Sequence, residues 1–131
     1  MALIRNQVVV FEGARIDVAS GVIRSPTIFC EGLDAVRVLI AVSEIGTPGS
    51  GQSITVRPVF CDERGNEYLD ADTTYGTVTI AGSGATVKKS YVVPNPGSAV
   101  ALVITGTSGL SSSTGFVVSA RFDKIPKVPA G

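Results

Sequence analysis

The sequence contains no histidine and no tryptophan. Histidine is the commonest general base and the commonest protein ligand of metal ions, so its absence excludes Ser-His-Asp catalysis, Cys-His catalysis and histidine-based zinc sites. Glycoside hydrolysis needs two carboxyl groups across a cleft and usually aromatic platforms for the sugar, which makes a small hydrolase the least favoured function. We therefore predict that the chain is not an enzyme, and we assign it no catalytic residue, no cofactor and no metal ligand.

Charge is scarce and balanced. Charged residues make up 17% of the chain, and 11 Lys and Arg residues offset 11 Asp and Glu residues, for a net charge of +0. A neutral chain has no overall field that attracts a polyanion, which argues against a nucleic-acid partner. With 44% hydrophobic residues, much of the surface must be apolar or uncharged. Such a surface suits a subunit of an assembly, and it equally suits an ordinary β-domain.

Long apolar runs are also missing. No segment approaches the roughly 20 apolar residues that a membrane-spanning helix needs. The run from Val8 to Phe11 is too short for a secretory signal and is followed at once by Glu12. These features predict a chain that is made and kept in the cytoplasm and has no membrane partner.

The two cysteines, Cys30 and Cys61, each end an apolar run, "PTIFC" and "RPVFC". They could form a disulfide if neighbouring strands brought them together. Free buried thiols are the favoured interpretation, since a disulfide would imply an oxidising compartment.

Hydrophobic residues recur with a period of two, which predicts strands. In "VRVLIAVSE", four apolar side chains fall on one face: Val36, Val38, Ile40 and Val42. In "TGFVVSARF", the corresponding set is Phe116, Val118, Ala120 and Phe122. In "SITVRPVFC", Ile54, Val56 and Phe60 point one way, and Pro58 predicts an edge or a bulge because proline cannot donate to a ladder.

Turn-forming sequences separate these runs: "GTPGSGQ", "AGSGA", "PNPGS" and "GTSGLSSSTG". No stretch has helical spacing. About eight to ten short strands predict an all-β, single-domain antiparallel β-sandwich, jelly-roll-like, over residues 1–131. Residues 1–6 are expected to form a short N-terminal arm. Residues 124–131 carry two prolines and are expected to form an extended, unpaired C-terminal tail.

The most polar stretch, "VFCDERGNEYLDAD", runs from Val59 to Asp72. A β-hairpin connection is the favoured interpretation, because Asp62 can close an Asx-type turn and Gly65 and Asn66 tolerate positive φ. The alternative is a calcium site with six oxygen-bearing ligands: Asp62, Glu63, Asn66, Glu67, Asp70 and Asp72. The spacing is not that of an EF-hand, so we expect no bound ion.

Three other features have a structural and a functional interpretation. The glycine-rich loops lack the lysine of a phosphate-binding loop and are predicted to be turns. Lys88 and Lys89 are predicted to protect a sheet edge, with a phosphate contact as the alternative. The rings of the three tyrosines, Tyr68, Tyr75 and Tyr91, are predicted to be half-buried by packing, with the hydroxyl groups exposed to solvent. The alternative is that the rings form a surface on which sugars stack.

The order "AVRVLIAVSEIG…GQSITVRPVFCDERGNEYLD…SAVALVITGTSGLSSSTGFVVSARF" resembles that of small β-sandwich virion proteins of tailed bacteriophages. The similarity covers roughly residues 35–124. It consists of an apolar strand, a Gly/Ser loop, a strand ending in the acidic turn Asp62–Asn66 before Tyr68, a Val/Ala strand, a polar hairpin and a final strand.

The resemblance implies a capsid decoration (cement) protein of the virion, which binds the major capsid protein or other virion subunits without catalysis. It also implies a homo-oligomer, with a trimer favoured, whose ends reach neighbouring subunits. The alternative that the residues leave open is a carbohydrate-binding or adhesive β-sandwich module.

Overall fold

The computed structural model describes residues 7–68 and 76–127, and in these residues all regular structure is β-strand. The strands are β1 (Gln7–Ile16), β2 (Val22–Arg24), β3 (Ile28–Phe29), β4 (Leu33–Ile45), β5 (Ser53–Cys61), β6 (Glu67–Tyr68), β7 (Val78–Ala81), β8 (Val87–Pro94), β9 (Ala99–Gly106) and β10 (Gly115–Pro126). They form two antiparallel sheets packed face to face, which confirms the predicted β-sandwich.

Sheet one has the strand order β1-β10-β4-β8. Its centre is the pairing of β10 with β4, which runs without a shift from Gly115 opposite Ile45 to Ile125 opposite Ala35. Strand β1 is irregular, with register shifts between Val9 and Ala14. Because β8 pairs only with β4 among the described residues, β1 and β8 are the edges of sheet one.

Sheet two has β9 and β5 at its centre, with β2 and β3 beside β9, and β6 and β7 beside β5. Strands β2 and β3 both pair with β9 and are separated by Ser25–Thr27, where Pro26 has no N–H to donate. Ser25 bridges the gap, since its Oγ accepts from Leu102 N at 2.9 Å and its N donates to Leu102 O at 2.9 Å. This double contact explains why a buried serine is tolerated there.

The core lies between the sheets and matches the predicted alternation. The inward-facing sets of β4 and β10 are all buried: Val36, Val38, Ile40, Val42, Phe116, Val118, Ala120 and Phe122. In β5, Ile54 and Val56 are buried as predicted, whereas Phe60 is half-buried. The buried side chains of both sheets form one continuous cluster that joins the layers.

A second buried cluster lies on the outer face of sheet two. It consists of Val59, Cys61, Ala99, Ala101 and Val103. The outer face is therefore apolar along most of β9 and at the Val59 and Cys61 end of β5, whereas Thr55 and Arg57 face outward in the rest of β5. Period-two patterning does not predict this second apolar face.

Pro58 lies where the sequence predicted an edge. Strand β5 pairs with β9 without a register shift, so there is no bulge. On its other side, the described residues pair β5 only through Ser53–Val56 with β7 and through Phe60–Cys61 with β6. Proline is accommodated because this middle part has a partner on one side only.

The predicted C-terminal tail is partly wrong. Lys124 pairs with Val36, Ile125 pairs with Ala35 and Pro126 aligns with Leu33, so these residues are extended but belong to β10. The strand continues through its polar end because Leu33–Val36 of β4 offers backbone partners. The predicted N-terminal arm, residues 1–6, and the last four residues lie outside the described residues. In residues 7–68 and 76–127, no helix meets the length and hydropathy required to cross a membrane.

Candidate functional site

The acidic stretch forms the predicted hairpin connection between β5 and β6. Asp62 Oδ1 accepts from Arg64 N and from Asn66 N, both at 2.9 Å, and Asp62 N donates to Asn66 O at 2.9 Å. Gly65 takes the positive φ of 83°, whereas Asn66 does not leave the ordinary region. The turn is thus built around one carboxylate that accepts hydrogen bonds from its own loop.

The same carboxylate also binds side chains. Asp62 Oδ2 accepts from Asn66 Nδ2 at 2.9 Å and from Tyr68 Oη at 3.3 Å. Hydrogen bonds from Asn66, first from its side chain and then from its backbone, lower the pKa of Asp62. The Asp62 oxygens are therefore used to hold the turn closed.

Of the other five candidate calcium ligands, Glu67 is engaged elsewhere, because it accepts from Arg24 Nε of β2, at the opposite end of the strand order β2-β9-β5-β6. Asp70 and Asp72 lie outside the described residues. Among the residues the structure describes, no three acidic, cysteine or histidine side chains converge on a point.

The cysteines are both free and both buried, as favoured from the sequence. Cys30 belongs to the cluster between the sheets, and burial raises the pKa of its thiol. Cys61 belongs to the outer cluster of sheet two, where Arg24 Nη2 lies 3.5 Å from its Sγ. Their different faces explain why two similar sequence contexts do not form a pair.

The two tyrosines that the structure describes, Tyr68 and Tyr91, do not share one surface. Tyr91 lies on the inner face of β8 and packs against the core, as predicted, but its hydroxyl is buried without a hydrogen-bond partner in the described part of the chain. Burial raises the Tyr91 pKa above its usual value. Tyr68 lies on the other sheet and is 61% exposed, so the packing prediction is wrong for it. Tyr75 is outside the described residues.

The lysine pair lies on the edge strand β8, as predicted. Lys88 is opposite Ala41 on the outer face, and Lys89 is opposite Ile40, whose side chain belongs to the core. Both lysines are exposed. An inward-facing lysine on an edge strand discourages pairing with another sheet.

The outer face of sheet one contains a depression of about 440 Å³, which we call the outer groove. It is lined by Ile40, Lys89 and six outward-facing residues: Leu39, Ala41, Lys88, Ser90, Ser119 and Arg121. The two lysines were candidates from the sequence, whereas the groove itself was not predicted, because it joins three strands whose register no local pattern reveals.

A second depression, of about 430 Å³, lies at one end of the sandwich. It is lined by Phe60, Cys61, Tyr68 and the loop Pro94–Ser98, in which Asn95 has a φ of 49°. The exposed Tyr68 ring is fixed there by the bond from its hydroxyl to Asp62. This depression has the only described tyrosine that is available to a ligand.

Comparison with protein-family models gives no match, and comparison with curated proteins gives no significant relative.

Proposed function

We propose that this chain is a non-enzymatic structural protein of a virus particle, a capsid decoration or cement protein of the kind found on tailed bacteriophages. It binds the major capsid protein or other virion subunits and stabilises the shell. The support comes from the winding of the sandwich, from the sequence resemblance to small virion proteins, and from the chemistry of the outer surface.

The proposal depends mainly on the topology of the sandwich, that is, on which strands pair with each other. Strand β1 pairs with β10, β2 and β3 pair with β9, β4 pairs with β8, and β5 pairs with β6 and β7. The pairs are nested, and successive pairs alternate between the sheets. We infer from this nesting that the sandwich is a jelly roll, an architecture shared by viral capsid and lectin domains.

Adhesion is the activity that the chemistry supports. The chain has no histidine, and its exposed apolar side chains are distributed over both sheets. The large ones are Val9, Val18, Val22, Phe29, Tyr68 and Val92. Several modest contacts made at once by a symmetric oligomer give tight retention, because each bound subunit raises the effective concentration of the next. A trimer is the favoured oligomer.

The termini remain the proposed bridging segments. Because Ile125 and Pro126 belong to β10, a deletion that starts at Ile125 would damage the sheet. A cleaner test removes residues 128–131 only. Weaker particle binding with unchanged unfolding would support the bridging role, and unchanged binding would contradict it.

The experiment that tests the function is sedimentation of the native source material, followed by mass spectrometry of the heavy-particle fraction. The proposal predicts that the chain travels with capsid-sized particles at a fixed ratio to a major shell protein. Its presence only in the light soluble fraction would contradict the proposal.

The second depression favours one other function, carbohydrate binding. An exposed tyrosine ring beside Pro94 and Pro96 offers a flat apolar surface on which a sugar could stack. Calorimetric titration with oligosaccharides, using Tyr68→Ala, tests it. Tyr91→Phe is the control, since that ring packs in the core. Binding that is lost in Tyr68→Ala alone would replace the virion proposal.

A further inference from the structure

The side chains that line the outer groove are arranged in two rows, which follow from the strand register. One row across sheet one is Ser119, Ala41 and Lys88, and the next is Arg121, Leu39 and Ser90. The two cations therefore occupy diagonally opposite corners, two serines occupy the other corners, and Leu39 and Ala41 form an apolar centre.

The two cations are uncompensated. Among the described residues, ion pairs involve only Arg15 with Asp17 and Arg24 with Glu67, so neither Lys88 nor Arg121 has an acidic partner. The adjoining row places Arg37 opposite Asp123 and so adds no net charge. The groove thus has a positive surplus although the chain as a whole is neutral.

The serine corners can also contribute hydrogen bonds. Ser119 Oγ accepts from Gly13 N at 3.0 Å, which fixes the side chain and leaves its hydroxyl proton for another acceptor. Ser90 is exposed on the edge strand. Both hydroxyls can therefore donate to carbonyl or carboxylate oxygens placed over the groove.

We propose that the outer groove binds an extended, acidic segment of a partner protein. The Cα atoms of Lys88 and Arg121 are two strands and two residues apart, which corresponds to about 12 Å. Two acidic side chains four residues apart on one face of an extended segment are about 13 Å from each other, within reach of these two long cations. The apolar side chain midway between them, on the same face, would cover Leu39 and Ala41, as charge complementarity and an apolar centre require.

A protein segment fits the groove better than a nucleic acid does. The outer face of sheet one has no aromatic side chain in any described row, so there is no platform on which bases could stack. The neutral chain also lacks the extended positive surface that follows a phosphate backbone.

The inference rests on the proposed adhesive function, since it names a contact surface and the chemistry of the partner. It is tested without particles, so the two can fail separately. Groove binding with no particle association would overturn the virion proposal alone. Particle association with no groove binding would overturn this inference alone.

The experiment is fluorescence anisotropy of the full chain with a labelled peptide that repeats Asp-Ser-Val-Ser, which places aspartate and valine in turn on one face of the extended segment. Peptides with asparagine or lysine in place of aspartate are the matched probes. We expect only the aspartate peptide to bind. Lys88→Gln and Arg121→Gln should each weaken that binding by about tenfold, the value of one charge-assisted hydrogen bond.

Arg64→Gln is the control, because it removes the same charge from the exposed turn between β5 and β6, on the other sheet. It should leave affinity unchanged, and all variants should unfold as the wild type does. Equal binding of the asparagine peptide, equal loss in Arg64→Gln, or tighter binding of single-stranded DNA than of the aspartate peptide would each overturn the inference.

Discussion

The two sheets differ in how exposed their outer faces are to solvent. On sheet one, the outward residues of the central strand β4 are mixed in polarity, with Arg37 exposed and Leu39 and Ala41 half-buried. On sheet two, Ala101 is 0% exposed and Val59 is 4% exposed on the corresponding face. Sheet one therefore has one buried face and one face that is open to solvent, whereas the centre of sheet two is buried on both faces.

This difference suggests that the two sheets have different roles, one in stability and one in contacts with partners. A sheet whose centre is buried on both faces supports the fold, because substitutions on either face disturb packing. A sheet with an open outer face can present chemistry there without loss of stability. The proposed contact groove lies on sheet one, and the following variants test the comparison from the largest expected effect to the smallest.

The largest effect is expected from a charge placed at the centre of each outer face. Ala101→Glu should lower the free energy of unfolding by more than about 3 kcal/mol, because it buries an unpaired carboxylate. Ala41→Glu should change it by less than about 1 kcal/mol, since that position is half-buried beside Lys88. Urea denaturation measures both, and equal losses would break the comparison.

A second test concerns the turn that connects the sheets through β4 and β5. Gly46 has a φ of +65°, and a Cβ there would lie 2.1 Å from Ser113 O. Gly46→Ala should lower the free energy of unfolding by about 2 kcal/mol or more. Gly49→Ala in the same turn meets nothing within 4 Å and should change it by about 1 kcal/mol at most. A tolerated Gly46→Ala would show that the sheets are loosely joined.

A gain is expected at the edge of sheet one. Tyr91→Phe removes a buried hydroxyl that has no partner in the described part of the chain, so it should raise the free energy of unfolding by about 1 kcal/mol. Thr77→Val is the parallel variant, because Thr77 Oγ1 is also buried without a described partner. A loss in Tyr91→Phe would mean that its hydroxyl is hydrogen-bonded.

The same residue predicts an alkaline effect. Burial raises the pKa of Tyr91 in the folded chain, so the unfolded chain loses that proton first once the pH exceeds about 10. The unfolded state then binds fewer protons, and stability falls as pH rises. Tyr91→Phe should lose less stability above that pH than the wild type does, as measured by urea midpoints at pH 8 and above.

The smallest effect concerns the ion pair that crosses the outer face of sheet two. Arg24 of β2 and Glu67 of β6 come from opposite ends of the strand order, and their side chains are 36% and 46% exposed. A double-mutant cycle with Arg24→Gln and Glu67→Gln should give a coupling energy of about 0.2–1 kcal/mol, since solvent screens the pair. A much larger coupling would show that solvent screens this pair less than its exposure indicates.

The strands that could be predicted from the sequence are those in which inward-facing apolar residues alternate with outward-facing residues. Strands β4 and β10 were predictable because one face meets the core and the other meets solvent. The "AVALVIT" of β9 gives no such signal, since both faces are buried. The continuation of β10 through Pro126 was missed because proline and lysine suggest an unpaired tail, whereas the partner residues in β4 decide the matter.

The candidate site was less predictable than the fold. The turn around Asp62 was predicted because its residues are close in sequence and its chemistry is local. The outer groove needs Ala41 to align with both Ser119 and Lys88. A slip of one residue in either pairing would turn those side chains to the opposite face, so the groove exists only in the assembled sheet.

The most direct test of the central claim, attachment to a particle through the open face of sheet one, is amine labelling of Lys88 and Lys124, of which Lys124 lies on the other face, opposite Val36. The labelling is compared by mass spectrometry between the free chain and the particle-bound fraction. We predict that Lys88 is protected on the particle while Lys124 is labelled as in the free chain. Equal labelling of Lys88 in both states would contradict the account.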